Sequence, residues 1–550
     1  MTDGSALAWA ETARELGLDA PGVNLAAAVI DRHPDPARLA LISLDRSGGA
    51  TTHTVGWLRE ESNRLAGLLV RAGIQPGDRV FTFLERSPLQ YAAALAIIKA
   101  GAVYGPLFAS FGTEALRDRL GDAGARAILT TARLLPTVTA VRQHLPGLET
   151  VILLEGNGSS QPGADALSYP ELRAGLAPEF APVLQEPDAP AIIHYTSGTT
   201  GRPKGALHGH RALIGHVASA RVALDLRPDD LFWCTADPAW VTGSSYGIFA
   251  PLAVGATQLL AEAPLNATAF FGLIAAQRVS VLYTAPTLLR LLMRGRPADL
   301  DRLDISSLRH TASVGEPLNP EVIRWWQQQT GQPVHDTWFQ TETGSIMIAQ
   351  RPGIPLQIGA MGCPLPGVEA AILDDGGEPL PPGEPGRLAL RAGWPSCFLG
   401  YWRQPELTAS RWLNGWYLAG DLARCDQQGY FWFIGRADEV INTAGHLVSP
   451  FEVESALLTH GAVAEAAAVG TPDPLLGEKI VAFVSLREGQ ALDVALEMAL
   501  KRTVRQLVSP FAVPQELVPM AELPKTQSGK ILRRLLRSRL THKNTSGHAN

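Results

Sequence analysis

Along the first 150 residues the hydrophobic positions follow two alternating rhythms. In TVGWLREESNRLAGLLVRAG, PLQYAAALAIIKAG and EALRDRLGDAGA the apolar residues fall three and four apart, the spacing of helices with one buried face. Between them lie short apolar runs of strand length, RVFTFL at residues 79–84 and AIL at 127–129. Strands separated by helices of this length predict parallel sheets covered on both faces. The rhythm resumes beyond residue 205, with a helical RALIGHVASARVAL and strands at residues 230–234 and 279–283. Residues 91–104 are the most apolar stretch, but they are too few to span a bilayer and Gly101 interrupts them, so they read as a buried helix. The N-terminal MTDGSALAWAETARELG lacks a basic region before an apolar run, which predicts a short helix and no signal peptide.

After about residue 355 the pattern changes. Gly, Pro and β-formers dominate, with turn signals at Asp375-Gly376-Gly377 and Pro382-Gly383, predicting a small antiparallel subdomain over about 355–435. A boundary is expected at Gly435-Arg436, dividing a large N-terminal domain, 1–435, from a small α+β domain, 436–550, in which FEVESALLTH, AAAVGTPDP, KIVAFVSLREG and LEMALKRTVRQLV alternate helix and strand. The fold class is α/β: parallel or mixed sheets covered by helices, a small antiparallel β subdomain and a small α+β C-terminal domain. Residues 157–190, rich in Gly, Pro, Ser and Ala, read as a surface connection. ILRRLLRSRL reads as a packed terminal helix with a solvated cationic face, and HKNTSGHAN as a disordered end.

Composition narrows the class. At 550 residues the chain needs more than one core. Hydrophobic residues make up 46% and charged residues 18%, which leaves no large disordered fraction. A net charge of −6 gives no global attraction to nucleic acid or an anionic membrane. The four cysteines (Cys234, Cys363, Cys397, Cys425) lie too far apart for a zinc motif or a disulfide framework, which points to a reducing cytoplasm.

The candidate chemistry starts at residues 195–205, YTSGTTGRPKG. Gly198, Gly201 and Gly205 permit sharp turns and close approach to a ligand, Thr196, Ser197, Thr199 and Thr200 offer hydroxyls, and Lys204 offers a point charge. An apolar run before it and a helical pattern after it predict a phosphate-binding loop where a strand feeds a helix. It is no Walker loop, since glycine follows the lysine. Four further segments accompany it: WFQTETG at 338–344, where Glu342 is a hard oxygen ligand suited to Mg²⁺ on phosphates; WYLAGD at 416–421, where Asp421 can accept two ribose hydroxyl protons; GRADE at 435–439; and PKTQSGK at 524–530. Singly, each has an ordinary explanation as core, turn or solvated lysine.

In this order and spacing the five segments resemble the AMP-forming acyl-CoA synthetases of the adenylate-forming superfamily, over residues 25–540. WCTADPAWVTGSSYGIFAPLAVGA (233–256), SVGEPLNPE (313–321) and DTWFQTETG (336–344) are most similar to the acetyl-CoA synthetase branch. The resemblance implies an ATP-dependent ligation of a short carboxylic acid to coenzyme A through an acyl-adenylate, with ATP, Mg²⁺ and coenzyme A as the small-molecule requirements. It implies catalytic roles for Lys530, Glu342 and Thr196, with Glu342 holding the metal. Thr196, Ser197, Gly198, Thr199, Thr200 and Lys204 would surround the phosphates. Gly315, Glu316, Pro317, Asp336, Trp338, Gln340 and Thr341 would serve the adenine side, and Asp421 and Arg436 the ribose. Trp240, Val241, Thr242, Val314 and Phe339 would wall the acyl pocket. Ala285, Gly445 and Arg505 would meet coenzyme A, and Asp438 would be the hinge of a mobile C-terminal domain. The exposed SGK setting also makes Lys530 a candidate target of a lysine acyltransferase and deacylase.

Two departures stand out. Leu447 occupies the place where relatives carry a cation that reaches the phosphates, and Phe339 replaces the tryptophan of typical acetyl-CoA synthetases. Two other readings compete: a stand-alone enzyme loading a carrier protein, against which no LGG-x-S signal follows Lys530, and a catalytically silent nucleotide-binding regulator, favoured by Leu447 alone.

Overall fold

The structure, a computed structural model, describes residues 4–45, 48–155, 166–197, 203–264, 266–294, 302–444, 446–525 and 531–545. Four sheets organise it. In the eight-stranded sheet the parallel strands Arg79–Leu84, Val103–Phe108, Ala127–Thr131 and Thr150–Glu155 form the centre. Pro190–Ser197 joins them in parallel, and Pro203–Gly209 then returns antiparallel along it. The nine-stranded sheet carries Leu231–Cys234, Val281–Thr284, His310–Ser313 and Val334–Trp338 as parallel neighbours. Trp416–Cys425 runs antiparallel to Pro385–Arg391 and Phe431–Arg436 in a third sheet.

The helix Pro88–Lys99 is buried on all sides because it is apolar all round, as expected for the first part of residues 91–104; beyond Gly101 the expectation fails, and Val103 and Tyr104 start the strand Val103–Phe108. Its one charged residue, Lys99, is fully buried, and its ammonium is paired with Asp31 Oδ1 at 2.6 Å and Asn63 Oδ1 at 2.7 Å. A buried cation persists only with such partners. Among the described residues no helix is long and apolar enough to cross a membrane.

The fourth sheet is built on the hairpin of Val463–Asp473 and Gly477–Leu486, with Glu516–Pro519 parallel to the latter, and shares no strand with the other three. It has apolar clusters of its own, one of which takes in Leu536, fully buried, from the terminal helix Arg533–Thr545. That helix extends to Thr545, so the end expected to be disordered from residue 542 is helical for four more residues. The connection at 157–190 also contains regular structure, a short strand at Ala166–Ser168 and a helical turn at Tyr169–Leu172.

Candidate active site

The phosphate loop departs from its expected form. Pro190–Ser197 pairs antiparallel with a second strand, Pro203–Gly209, rather than leading directly into a helix, and the helix Ala212–Ala223 begins later. The reason lies in Gly205. A Cβ there would sit 2.7 Å from Ile193 Cδ1, so the missing side chain lets the returning strand lie flat on its partner. This register sets Thr196 opposite Lys204. Tyr195 anchors the hairpin by donating its hydroxyl to Asp122 Oδ2 at 2.5 Å.

A second segment fixes the lysine. Gly400–Tyr401 pairs antiparallel with Leu207 and Ala206, and this brings the Tyr401 ring to 5.7 Å from Lys204 Nζ. Tyr401 donates to Glu342 Oε1 at 2.5 Å and accepts from Arg411 Nε at 3.2 Å. Burial and then the neighbouring Arg411 lower the Lys204 ammonium from its ordinary range, while Glu342 raises it. Tyr401 and Arg411 were not among the residues singled out in the sequence. A Gly-Tyr pair and an arginine outside any motif carry no spacing signal, and their place depends on the strand pairing.

Residues 338–342 follow the end of Val334–Trp338, at the carboxyl edge of the parallel sheet, where α/β folds build sites. Trp338 Nε1 donates to Asp421 Oδ2 at 2.9 Å, and Gln340 Nε2 donates to the same oxygen at 3.1 Å. Gln340 is held in turn by the Tyr417 hydroxyl at 2.9 Å and the Ala419 carbonyl at 2.9 Å. Arg436 Nη1 lies 3.5 Å from Asp421 Oδ1. The Asp421 carboxylate is thus held from three sides, on the strand adjacent to that of Arg436. His208 Nε2 lies 2.8 Å from the Thr341 carbonyl and Nδ1 3.2 Å from the Ser396 carbonyl, and burial pushes this imidazole down to about 4.

On the adenine side, Gly315 has φ +89°, and a Cβ would come within 2.3 Å of Trp240 Cη2. The indole of Trp240 therefore closes on bare backbone. The Glu316 carboxylate is engaged by Thr287 Oγ1 at 2.7 and 2.8 Å and by Arg290 Nη2 at 2.5 Å, and Pro317 follows it, half-buried. Asp336 is buried, accepts from Ser313 Oγ at 2.9 Å and from the Thr337 amide at 3.0 Å, and burial pushes its carboxyl up to about 7.

Among the residues expected to wall the acyl pocket, Phe339 meets Tyr246 edge-on at 5.6 Å, while Val241, Thr242 and Val314 are buried. Thr242 Oγ1 is buried with no hydrogen-bond partner among the described residues. Ala285 is half-buried just beyond Val281–Thr284, whereas Arg505 is exposed on the helix Val494–Leu507. Asp438 is exposed, its Oδ1 3.5 Å from Arg436 Nε. Gly198, Thr199, Thr200, Gly445 and Lys530, with the side chains of Ser197 and Leu447, lie outside the described residues. The ends of the lysine segment are described: Lys525 and Ile531 form an antiparallel bridge, and Lys525 is ion-paired with the buried Glu465.

Glu342 fits a Mg²⁺ ion that is carried by phosphates. It is 9% exposed, its Oε2 makes no hydrogen bond among the described residues, and no group of three or more His, Cys, Asp or Glu lies near enough there to make an all-protein cage. A single carboxylate completed by phosphate oxygens and water is the usual Mg²⁺ arrangement in nucleotide sites.

Residues 28–402 match the family model of the AMP-binding enzymes and residues 452–530 that of the AMP-binding enzyme C-terminal domain. The acetyl-coenzyme A synthetase of Bacillus subtilis (strain 168) is 42% identical over 535 residues, covering 96% of this chain and 93% of that protein. Among solved structures, ATP-bound MatB from Rhodopseudomonas palustris superposes with a TM-score of 0.83 at 27% identity, over 94% of this chain and 98% of that one. Apo MatB from the same organism gives 0.75 at 28% identity, over the same shares. The chain belongs to the AMP-binding enzyme family.

Proposed function

We propose that this enzyme joins a short carboxylic acid, acetate or propionate, to coenzyme A in two half-reactions. A carboxylate oxygen attacks the α-phosphorus of ATP, forming a new P–O bond as the bond to the β-phosphate oxygen breaks and pyrophosphate leaves. The coenzyme A thiol, having lost its proton, then attacks the acyl carbon, and the C–O bond to AMP breaks as the thioester forms. The observation that carries this reading is the convergence of Lys204, Glu342, Tyr401 and Arg411, together with a carboxylate, Asp421, held by Trp338, Gln340 and Arg436.

Thr196 and Lys204 hold the phosphate tail, Asp421 and Arg436 the ribose, and Gly315, Glu316 and Pro317 the adenine. Mg²⁺ at Glu342 supplies positive charge to the phosphates. Lys530 supplies a fixed ammonium where negative charge builds on the α-phosphate and the bridging oxygens, a contribution of about 3–4 kcal/mol to the transition state. Turning about Asp438 withdraws Lys530 and brings Gly445 toward Ala285 for the thiol step, with Arg505 toward the coenzyme A nucleotide. The better fit to ATP-bound than to apo MatB, at equal coverage, supports reading the present arrangement as the acyl-AMP-forming one. Ala444 and His446, either side of Gly445, are exposed here, in keeping with that reading.

The acid is short because Phe339, braced by Tyr246, closes the pocket, and acetyl-coenzyme A synthetases are the relatives. The enzyme works in the cytoplasm, and Lys530 is a target for a lysine acyltransferase and a deacylase, since acylation would remove the charge that the first half-reaction uses. Mass spectrometry of protein from the native host that found Lys530 always unmodified would contradict this last point. The main test is pyrophosphate release from acetate and ATP, with and without coenzyme A, together with analysis of the product. Acetyl-CoA is expected. Acyl-AMP formation without any CoA product would favour carrier loading, and no turnover on any acid would favour a silent regulator.

A further inference from the structure

A chain of side chains leads from the adenine turn into the C-terminal domain. Glu316 binds Arg290 Nη2, and the other guanidinium nitrogen, Nη1, donates to Asn319 Oδ1 at 3.2 Å. Asn319 Nδ2 donates to Ser455 Oγ at 2.8 Å. Asn319 is 3% exposed and stands at the start of the helix Pro320–Thr330, where its side chain makes no capping bond, while Ser455 lies on the helix Pro450–Leu458 of the other body. Next to Ser455, Glu454 is ion-paired with Arg533 at 2.6 Å. Arg533 stands three residues beyond Lys530 and also reaches Glu439, beside the hinge, at 3.3 Å.

The chemistry of this chain has one direction. A guanidinium has donors and no acceptor, so Arg290 obliges the Asn319 amide to turn its oxygen inward and its NH₂ toward Ser455. Arg290 is itself fixed by the residue that lines the adenine turn. If the C-terminal domain turned away, Asn319 and Ser455 would exchange one hydrogen bond for water, so the contact is reversible at small cost. Other direct contact between the two bodies includes a long one, Arg487 Nη1 to the Met293 carbonyl at 3.5 Å.

We propose that the Asn319–Ser455 hydrogen bond is a catch that seats the C-terminal domain for acyl-AMP formation, with its donor aimed by Arg290 and Glu316 from the nucleotide pocket. The proposal rests on the reading of Lys530 given above. Both Asn319 and Ser455 are positioning residues: neither is assigned contact with a substrate.

The test measures the two half-reactions separately in the full-length enzyme. Ser455→Ala is expected to slow acetate-dependent pyrophosphate exchange by about threefold to tenfold, the range of one net hydrogen bond. Thioester formation from supplied acetyl-AMP and coenzyme A should be unchanged or faster. Ser455→Thr, which keeps the oxygen, should restore exchange, and Asn319→Ala combined with Ser455→Ala should cost less in exchange than the sum of the two single effects, because the Asn319–Ser455 bond is lost in both. Equal loss in both half-reactions, or no loss in exchange, would overturn the catch. Lys530→Ala in the same assay separates the two claims: exchange that survives it overturns the lysine assignment, whereas exchange lost in it but unchanged in Ser455→Ala overturns the catch alone.

Discussion

The ribose side of the site and the lysine segment are built in opposite ways. Asp421 is held by Trp338 and Gln340, at the end of a strand of the nine-stranded sheet, and by Arg436, on the strand paired with its own, and Gln340 has its own two supports. Lys530 belongs to a short segment closed at its base by the Lys525–Ile531 bridge and tied by Lys525 to Glu465, in a body with a separate sheet and separate apolar clusters. The difference teaches how one fold can serve two reactions. On the proposed function, groups needed in both half-reactions stay on a rigid frame, and the charge needed in one sits on a part that can leave.

The contrast breaks first at the lysine. Lys530→Ala should lower the overall rate by about a hundredfold to a thousandfold, with the KM for ATP nearly unchanged, because the frame does the binding. A large rise in that KM would place the lysine in the frame instead. Asp421→Ala should act in the reverse sense. It removes the carboxylate that Trp338, Gln340 and Arg436 share, leaving Arg436 with Asp438 alone among the described residues, so the KM for ATP should rise by about tenfold to a hundredfold while the KM for coenzyme A holds. Steady-state kinetics in both substrates would show whether the two effects separate.

Phe339 sharpens the comparison, since it sits on the frame yet, on the proposed function, sets which acid enters. Phe339→Trp should move preference toward acetate and Phe339→Gly toward longer acids, by about tenfold to a few hundredfold between neighbouring chain lengths. Competition across C2 to C8 acids reads this directly, and a wild type that preferred C6 or longer would overturn the pocket. The smallest effect concerns stability. Burial raises the Asp336 carboxyl to about 7 in the folded state, above its ordinary value. The folded protein therefore holds a proton that the unfolded chain has released between about pH 4 and 7, and stability from this group falls as pH rises through that window. Asp336→Asn, which keeps an acceptor for Ser313, should flatten that slope, a difference of roughly 1–4 kcal/mol between pH 4 and 8. Urea unfolding at the two pH values measures it, and an unchanged slope would contradict the assignment.

Much of the frame was legible because its signals are local. RVFTFL became the strand Arg79–Leu84, and the all-apolar pattern near residue 91 became the buried helix Pro88–Lys99. The motif order gave Trp338, Gln340, Asp421 and Arg436, and the hydrogen bonds bring those four together. What was not legible depends on pairing between distant segments. The hairpin that sets Lys204 opposite Thr196 looked like a strand entering a helix, because the returning strand is short and rich in glycine. Tyr401 and Arg411 gain their place from the pairing of Gly400–Tyr401 with a strand almost two hundred residues earlier. Asn319 lies within SVGEPLNPE without a role read for it there, Ser455 lies in no motif, and their contact exists in tertiary structure alone.

The division of labour is tested most directly by giving Lys530→Ala enzyme preformed acetyl-AMP and coenzyme A. If the frame binds and the lysine serves only the first half-reaction, acetyl-CoA should form at close to the wild-type rate while acetyl-AMP synthesis in the same preparation is lost. Equal loss of both activities would contradict the account.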